Sequence, residues 1–113
     1  MSCIFCKIVK KEIPSKIVYE DNTVLAFEDI APQAPVHILV IPKKHYSNLL
    51  EINEDDKELI GHIFIVIKEI AKQKAVDERG FRVVVNCNSQ GGQTVYHLHF
   101  HILAGRQMHW PPG

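Results

Sequence analysis

The chain has 113 residues, 46% hydrophobic and 23% charged, and its 13 basic and 13 acidic side chains cancel. This is one domain of an ordinary globular composition, with no charge excess to attract nucleic acid and no run of about eighteen apolar residues to span a membrane. Three cysteines, Cys3, Cys6 and Cys87, are an odd number and too few for a disulfide framework, so a reducing, cytoplasmic setting is expected.

The opening "MSCIFCKIVKKEIP" is too short and too charged after Cys6 for a secretory signal. Cys3 and Cys6 lie one helical turn apart, a spacing open to buried thiols, a redox pair or metal ligands. "KIVYEDNTVLAFED" reads as two short strands, 16–20 and 23–27, joined by Asp-Asn turn chemistry. "APQAP" is a rigid break, because Pro32 and Pro35 fix their own φ and restrict Ala31 and Ala34 before them. "VHILVIP" supplies a third, nearly all-apolar strand that Pro42 stops.

The long helix begins near "NEDDKEL", where Asn53 is placed to cap it and acidic residues crowd the first turn; Gly80 lies beyond its end. Leu59, Ile60, Ile63, Phe64, Ile67, Ile70 and Ala71 form a core stripe at helical spacing. Ile65 and the flanking Val66 suggest a second covered face, expected to be a subunit interface. His62 points away from the stripe and is expected to be solvated. "FRVVVN" and "YHLHFHILA" follow as the fourth and fifth strands, separated by the polar loop "CNSQGGQT". Strands, helix, then strands, without regular βαβ alternation, predict an α+β fold. Its sheet is five-stranded and antiparallel, with one long helix and a short N-terminal helix.

"HLHFHIL" places His97, His99 and His101 at alternate positions, with Leu98, Phe100 and Ile102 between them. On a strand the three imidazoles share one face at intervals of roughly 6–7 Å. Three histidines and a water suit a catalytic zinc, yet same-face residues on a flat strand converge poorly on one ion. The neighbouring Gly91-Gly92 loop offers backbone N–H groups and the Thr94 hydroxyl to an anionic oxygen. Histidines beside such a loop suggest nucleophilic attack on phosphorus, for which neutral imidazole is competent near pH 7.

"GGQTVYHLHFHIL" resembles the His-x-His-x-His signature of the histidine triad (HIT) family. The likeness extends through "CIFCKIVKKEIPSKIVYED", "AFEDIAPQAPVHILVIPKKH", "FRVVVN" and "GRQMHWPPG". With its Trp-Pro-Pro-Gly tail the chain is similar to the histidine triad nucleotide-binding (Hint) branch, and a HIT-like fold is implied.

That resemblance implies hydrolysis of purine nucleoside phosphoramidates, such as AMP linked to an amine, through a nucleotidyl-histidine. His99 would be the nucleophile and His101 the phosphate contact. Thr94 stands where the family has a serine near the leaving group. His37 would support the triad from behind, and His97 completes it. Gly92 and Gln93 would line the phosphate, and Asn86 would reach ribose or phosphate. Asp29 would hold the ribose hydroxyls, although capping the turn before "APQAP" is its plainer role. Ile4, Phe5, Ile8, Phe27, Ile30 and Leu39 would line the nucleoside pocket, or simply belong to the core. Trp110 would reach the neighbouring active site of a homodimer.

Relatives in the wider superfamily hold a structural zinc with an N-terminal cysteine pair and two histidines, which here match Cys3, Cys6, His45 and His97. No cofactor is implied for the chemistry. Two alternatives stay open: a dinucleoside polyphosphate hydrolase or nucleotidyl transferase of another HIT branch, and a nucleotide-binding interaction module.

Overall fold

Side-chain parity along the central strands decides what each face of the sheet covers. The computed structural model describes residues 3–113. Its strands are β1 (Ile17–Glu20), β2 (Val24–Glu28), β3 (Val36–Pro42), β4 (Phe81–Val84) and β5 (Phe100–Ala104). They form one antiparallel sheet in the order β1-β2-β3-β5-β4. On one face, Val24, Ala26, Ile38, Val40, Phe100 and Ile102 pack with Ile63, Val66, Ile67 and Ile70 of helix α2 (Lys57–Gln73). On the other, Leu25, Phe27, Leu39 and Ile41 pack with Phe5 and Ile8 of the short helix α1 (Ile4–Val9). Covered on both sides, β2 and β3 are almost continuously apolar, as such strands must be.

The expected α+β architecture is the one observed, and the differences are local. Asn53 caps a 3-10 turn, Glu54–Asp56, that leads into α2: its side chain accepts from Asp55 N–H, and Asp56 reaches back to Asn53 N–H. Asp56 also accepts from the Tyr46 hydroxyl, which ties the helix start to the core. Phe64, expected in the stripe, is 49% exposed although its ring edge meets Phe100, whereas Val66 is buried. The stripe is therefore rotated by part of a turn from the one read off the sequence. Ile65 remains 53% exposed.

The fifth strand is shorter than expected, and His97 and His99 precede it. The β3–β5 register runs from Val36 opposite Ala104 to Val40 opposite Phe100. Two residues further, the same register would set Pro42 opposite Leu98, but proline has no N–H to give the ladder. Leu98 N–H instead donates to Tyr46 O at 2.7 Å, and the His97 ring bonds Pro42 O at 2.8 Å. Only His101 of the triad lies on a regular strand.

Asp21 in the β1–β2 turn accepts from Thr23 N–H, Val24 N–H, the Tyr19 hydroxyl and the His62 ring. His62, expected to be solvated, thus adds a polar link between this hairpin and α2. Burial alone would raise the Asp21 carboxyl, but these hydrogen bonds outweigh it and hold its pKa well below the ordinary 3.8. A depressed carboxyl stabilises the fold fully above its unfolded pKa and loses that contribution as pH falls through the folded one. Asp21→Asn is therefore expected to cost about 1–2 kcal/mol at pH 7. Its deficit in Tm relative to the wild type should shrink below the ordinary aspartate pKa of 3.8. Thermal melts from pH 7 down to pH 3 check this.

Candidate active site

Two groups of histidines meet at the α1 face of the sheet, and the backbone there explains why they separate. His37 on β3 and His101 on β5 occupy odd positions beside Leu39, opposite the face that α2 covers. They are diagonal neighbours across the ladder, because His101 pairs with Leu39, two residues beyond His37. His37 Nε2 lies 2.9 Å from His101 Nδ1. The Gln33 N–H donates to His37 Nδ1 at 3.0 Å, and Asp29 Oδ2 stands 3.5 Å from His37 Nε2.

His99 sits beside His101, with ring centroids 4.9 Å apart, and is buried against the edge of Phe5 at 5.3 Å. Its Nδ1–H donates to the carbonyl of His97 at 2.7 Å. That bond holds the ring in one orientation and places the lone pair of the neutral imidazole on Nε2. Burial lowers the pKa of His37, of His99 and of His101, the last to about 4 with His99 and His37 adding to the effect. At pH 7 all three are neutral. A buried, oriented imidazole with a free ring nitrogen, next to a second imidazole, is a nucleophile with a partner at hand.

The ring of His97 turns the other way. It is fully buried, and its Nε2–H donates to Pro42 O, so its Nδ1 lone pair faces Cys3, Cys6 and His45. His97 Nδ1 lies 3.4 Å from Cys3 Sγ, 3.5 Å from Cys6 Sγ and 3.2 Å from His45 Nδ1; His45 Nδ1 lies 3.4 Å from Cys6 Sγ. Tetrahedral zinc, with bonds of about 2.0 Å to nitrogen and about 2.3 Å to sulfur, needs edges of about 3.3 Å between nitrogens and about 3.5 Å between nitrogen and sulfur. The donor set fits that ion. The Pro42 carbonyl behind His97 is the outer partner that fixes a ligating histidine's tautomer. Burial and then the Cys3 thiol raise the pKa of Cys6, and a cation among the four donors would offset both.

The other expected site residues divide. Phe5, Ile8, Phe27 and Leu39 are core side chains, and the Phe5 ring meets those of His99 and His97 in edge-to-face contacts. Ile4 is exposed, Ile30 is 96% exposed and Trp110 is 84% exposed. Asp29 does cap its turn, with Oδ1 accepting from Ala31 N–H at 2.8 Å, while its other oxygen faces His37.

Gln93, expected on the phosphate side, has its side chain engaged by the protein itself. Its buried side chain donates to Ser47 O and Val95 O and accepts from Asn88 N–H. The Gly92 and Gln93 N–H groups are also spent within the loop, on Ser89 O and Asn88 O. Gly92 takes a left-handed φ of 81°, which closes that loop, and Asn86 braces it through Gly91 O. Thr94 is exposed at the loop's end.

Sequence reasoning passed over the partners that are main-chain groups. Tyr46 O, Pro42 O and Gln33 N–H each hold part of the site. The only signal was Pro42 itself, a residue that must end a ladder.

Residues 2–110 match the family model described as scavenger mRNA decapping enzyme C-term binding. An uncharacterized HIT-like protein of Synechococcus elongatus is 56% identical over 110 residues, covering 97% of this chain and 96% of its own. A protein of Brassica juncea named as a 14 kDa zinc-binding protein is 53% identical over 112 residues, covering 97% of this chain and 98% of its own. Among solved structures, a HIT family hydrolase from Legionella pneumophila superposes with a TM-score of 0.97 at 54% identity. It spans 99% of this chain and 100% of that one.

Proposed function

The chain belongs to the histidine triad family, similar to its named hydrolases, and on that footing we propose that it is a purine nucleoside phosphoramidase of the Hint branch. The observation that carries this reading is His99: buried, neutral, and oriented by the His97 carbonyl so that Nε2 is free to attack. His99 Nε2 attacks the α-phosphorus of a nucleoside phosphoramidate such as adenosine monophosphate linked to an amine. The phosphorus–nitrogen bond breaks, and its electron pair leaves with the amine, which takes up a proton. Thr94, at the exposed end of the loop, supplies a hydroxyl to that leaving group. Water then attacks phosphorus, the bond to His99 breaks, and AMP is released.

His101 contacts the phosphate and stabilises charge as it develops. Asp29 binds the ribose hydroxyls with a carboxylate that accepts two hydrogen bonds. Phe5, with Ile4, Ile8, Phe27, Ile30 and Leu39, is proposed to receive the purine, the exposed Ile4 and Ile30 at its rim, while Asn86, Gly92 and Gln93 frame the phosphate side as the braced loop that holds Thr94 in place.

His99→Ala is expected to abolish turnover of an adenosine phosphoramidate, and rapid quenching with labelled substrate to trap nucleotide on His99 of the wild type. Faster turnover of a diadenosine polyphosphate would favour another branch of the family. Retention of turnover by His99→Ala would remove the covalent mechanism.

Zinc is proposed in the Cys3, Cys6, His45, His97 cluster, in keeping with the name of the Brassica juncea relative. Bound there, the ion would join α1 to the segment before β5 and take no part in the reaction. Elemental analysis of protein purified without chelators should find one zinc per chain, and Cys3→Ser with Cys6→Ser should lose it and melt at a lower temperature. A metal-free wild type of unchanged stability would refute the assignment.

The protein is further proposed to be a cytoplasmic homodimer, consistent with three free cysteines and with the exposure of Ile65 and Trp110. Trp110 would then complete the partner's pocket. Sedimentation at micromolar concentration should give a dimer; a monomer would count against it.

A further inference from the structure

One hydrogen-bond path enters the triad from a loop that the chemistry above leaves unused. The main-chain N–H of Gln33 donates to His37 Nδ1 at 3.0 Å. A ring nitrogen that accepts carries no proton, so neutral His37 holds its proton on Nε2. That nitrogen is 2.9 Å from His101 Nδ1 and 3.5 Å from Asp29 Oδ2. The shorter contact directs the proton to His101, while the other Asp29 oxygen is occupied by Ala31 N–H. His101 Nδ1 is then an acceptor as well, which leaves the proton of neutral His101 on Nε2.

The position of the Gln33 peptide is in turn determined from outside the site. Pro32 and Pro35 stiffen the segment, and the Gln33 side chain donates to Ala31 O at 3.0 Å. Arg106 Nε donates to Gln33 O at 3.1 Å, so the same residue is gripped at its carbonyl and used at its N–H. Gly105, beside Arg106, has φ of 93°, and a Cβ there would lie 2.8 Å from Pro35 Cβ. Only glycine lets the two segments approach so closely.

We propose that the Gln33 main chain, held at its carbonyl by Arg106, is a positioning element for the reaction: its N–H sets the proton register of His37 and His101 so that His101 presents a donor at Nε2. The consequence for phosphate rests on the function proposed above, whereas the register does not. With the opposite register, His101 would turn a lone pair toward an anionic oxygen and repel it. Arg106 is thereby a positioning residue acting through two histidines that it does not touch.

Long-range 15N–1H correlation spectra of the substrate-free chain at pH 7 report the tautomers directly. Both His37 and His101 are expected in the Nε2–H form, and an Nδ1–H form on either ring overturns the proposal. Gln33→Pro, which removes that one N–H, should shift His37 toward the Nδ1–H form. It should also lower kcat for an adenosine phosphoramidate by about 10- to 100-fold, with KM changed less than about 3-fold. Because proline at 33 can disturb the loop, Arg106→Ala gives an independent probe: mixed tautomers and a lower kcat together, with both restored in Arg106→Lys. Unchanged tautomers and unchanged kcat in folded Gln33→Pro would refute the positioning role. A wild type that shows the Nε2–H register yet hydrolyses no phosphoramidate would overturn the preceding reading, while the spectra still decide the register.

Discussion

The ring and the carbonyl of His97 face different neighbours, and the candidate site is organised around that divergence. The ring lies among Cys3, Cys6 and His45, steered by the Pro42 carbonyl, while the main-chain oxygen of the same residue receives Nδ1–H of His99. A continuous ladder would not leave this arrangement standing, since a strand through 97–99 would commit its backbone to its neighbours. The end of pairing at Pro42 is therefore what lets the Cys3, Cys6, His45 donor group and the oriented ring of His99 share one residue. Burial then lowers the pKa of His99 and favours its neutral form.

The sheet separates the work of folding from that of chemistry. Its α2 face is a large apolar layer with Ile63, Val66, Ile67 and Ile70 at its centre. The α1 face is smaller and carries the histidines beside Phe5 and Leu39. Polar side chains on that second face are covered without being stranded, because each imidazole has a defined partner: Gln33 N–H, another ring, or a main-chain carbonyl.

The strands and the long helix were legible in the sequence because apolar periodicity is a local property. "VHILVIP" could hardly be anything but a doubly covered strand, and Asn53 with Asp56 marked the helix entry. The swap of Phe64 for Val66 shows the limit of that reading, since a part-turn rotation of a stripe depends on what it meets. The divergence of His97 from His99 was hidden for a different reason. It depends on Pro42, 55 positions away, and alternation alone predicts three parallel rings. The bonding of Gln93 was hidden in the same way: the family likeness set it on the phosphate side, and that its amide donates to Ser47 O, 46 positions distant, could not be read from its neighbours in the chain. The family likeness singled out His99 and His101, and it was silent on the main-chain groups that orient the histidines.

Parity along β3 and β5 carries a further implication. His37 and His101 reach the reactive side only because each stands an even number of residues from neighbours that also face it. Deleting or inserting one residue within either strand would carry the imidazoles into the α2 layer and bring Ile38 or Ile102 out of it. Such a change would damage stability and reactivity together, with no intermediate in which the chain folds well but reacts poorly. Length variation in descendants of this sequence is thus confined to turns such as that at Asp21–Thr23, while the central pair of strands is held to a fixed count.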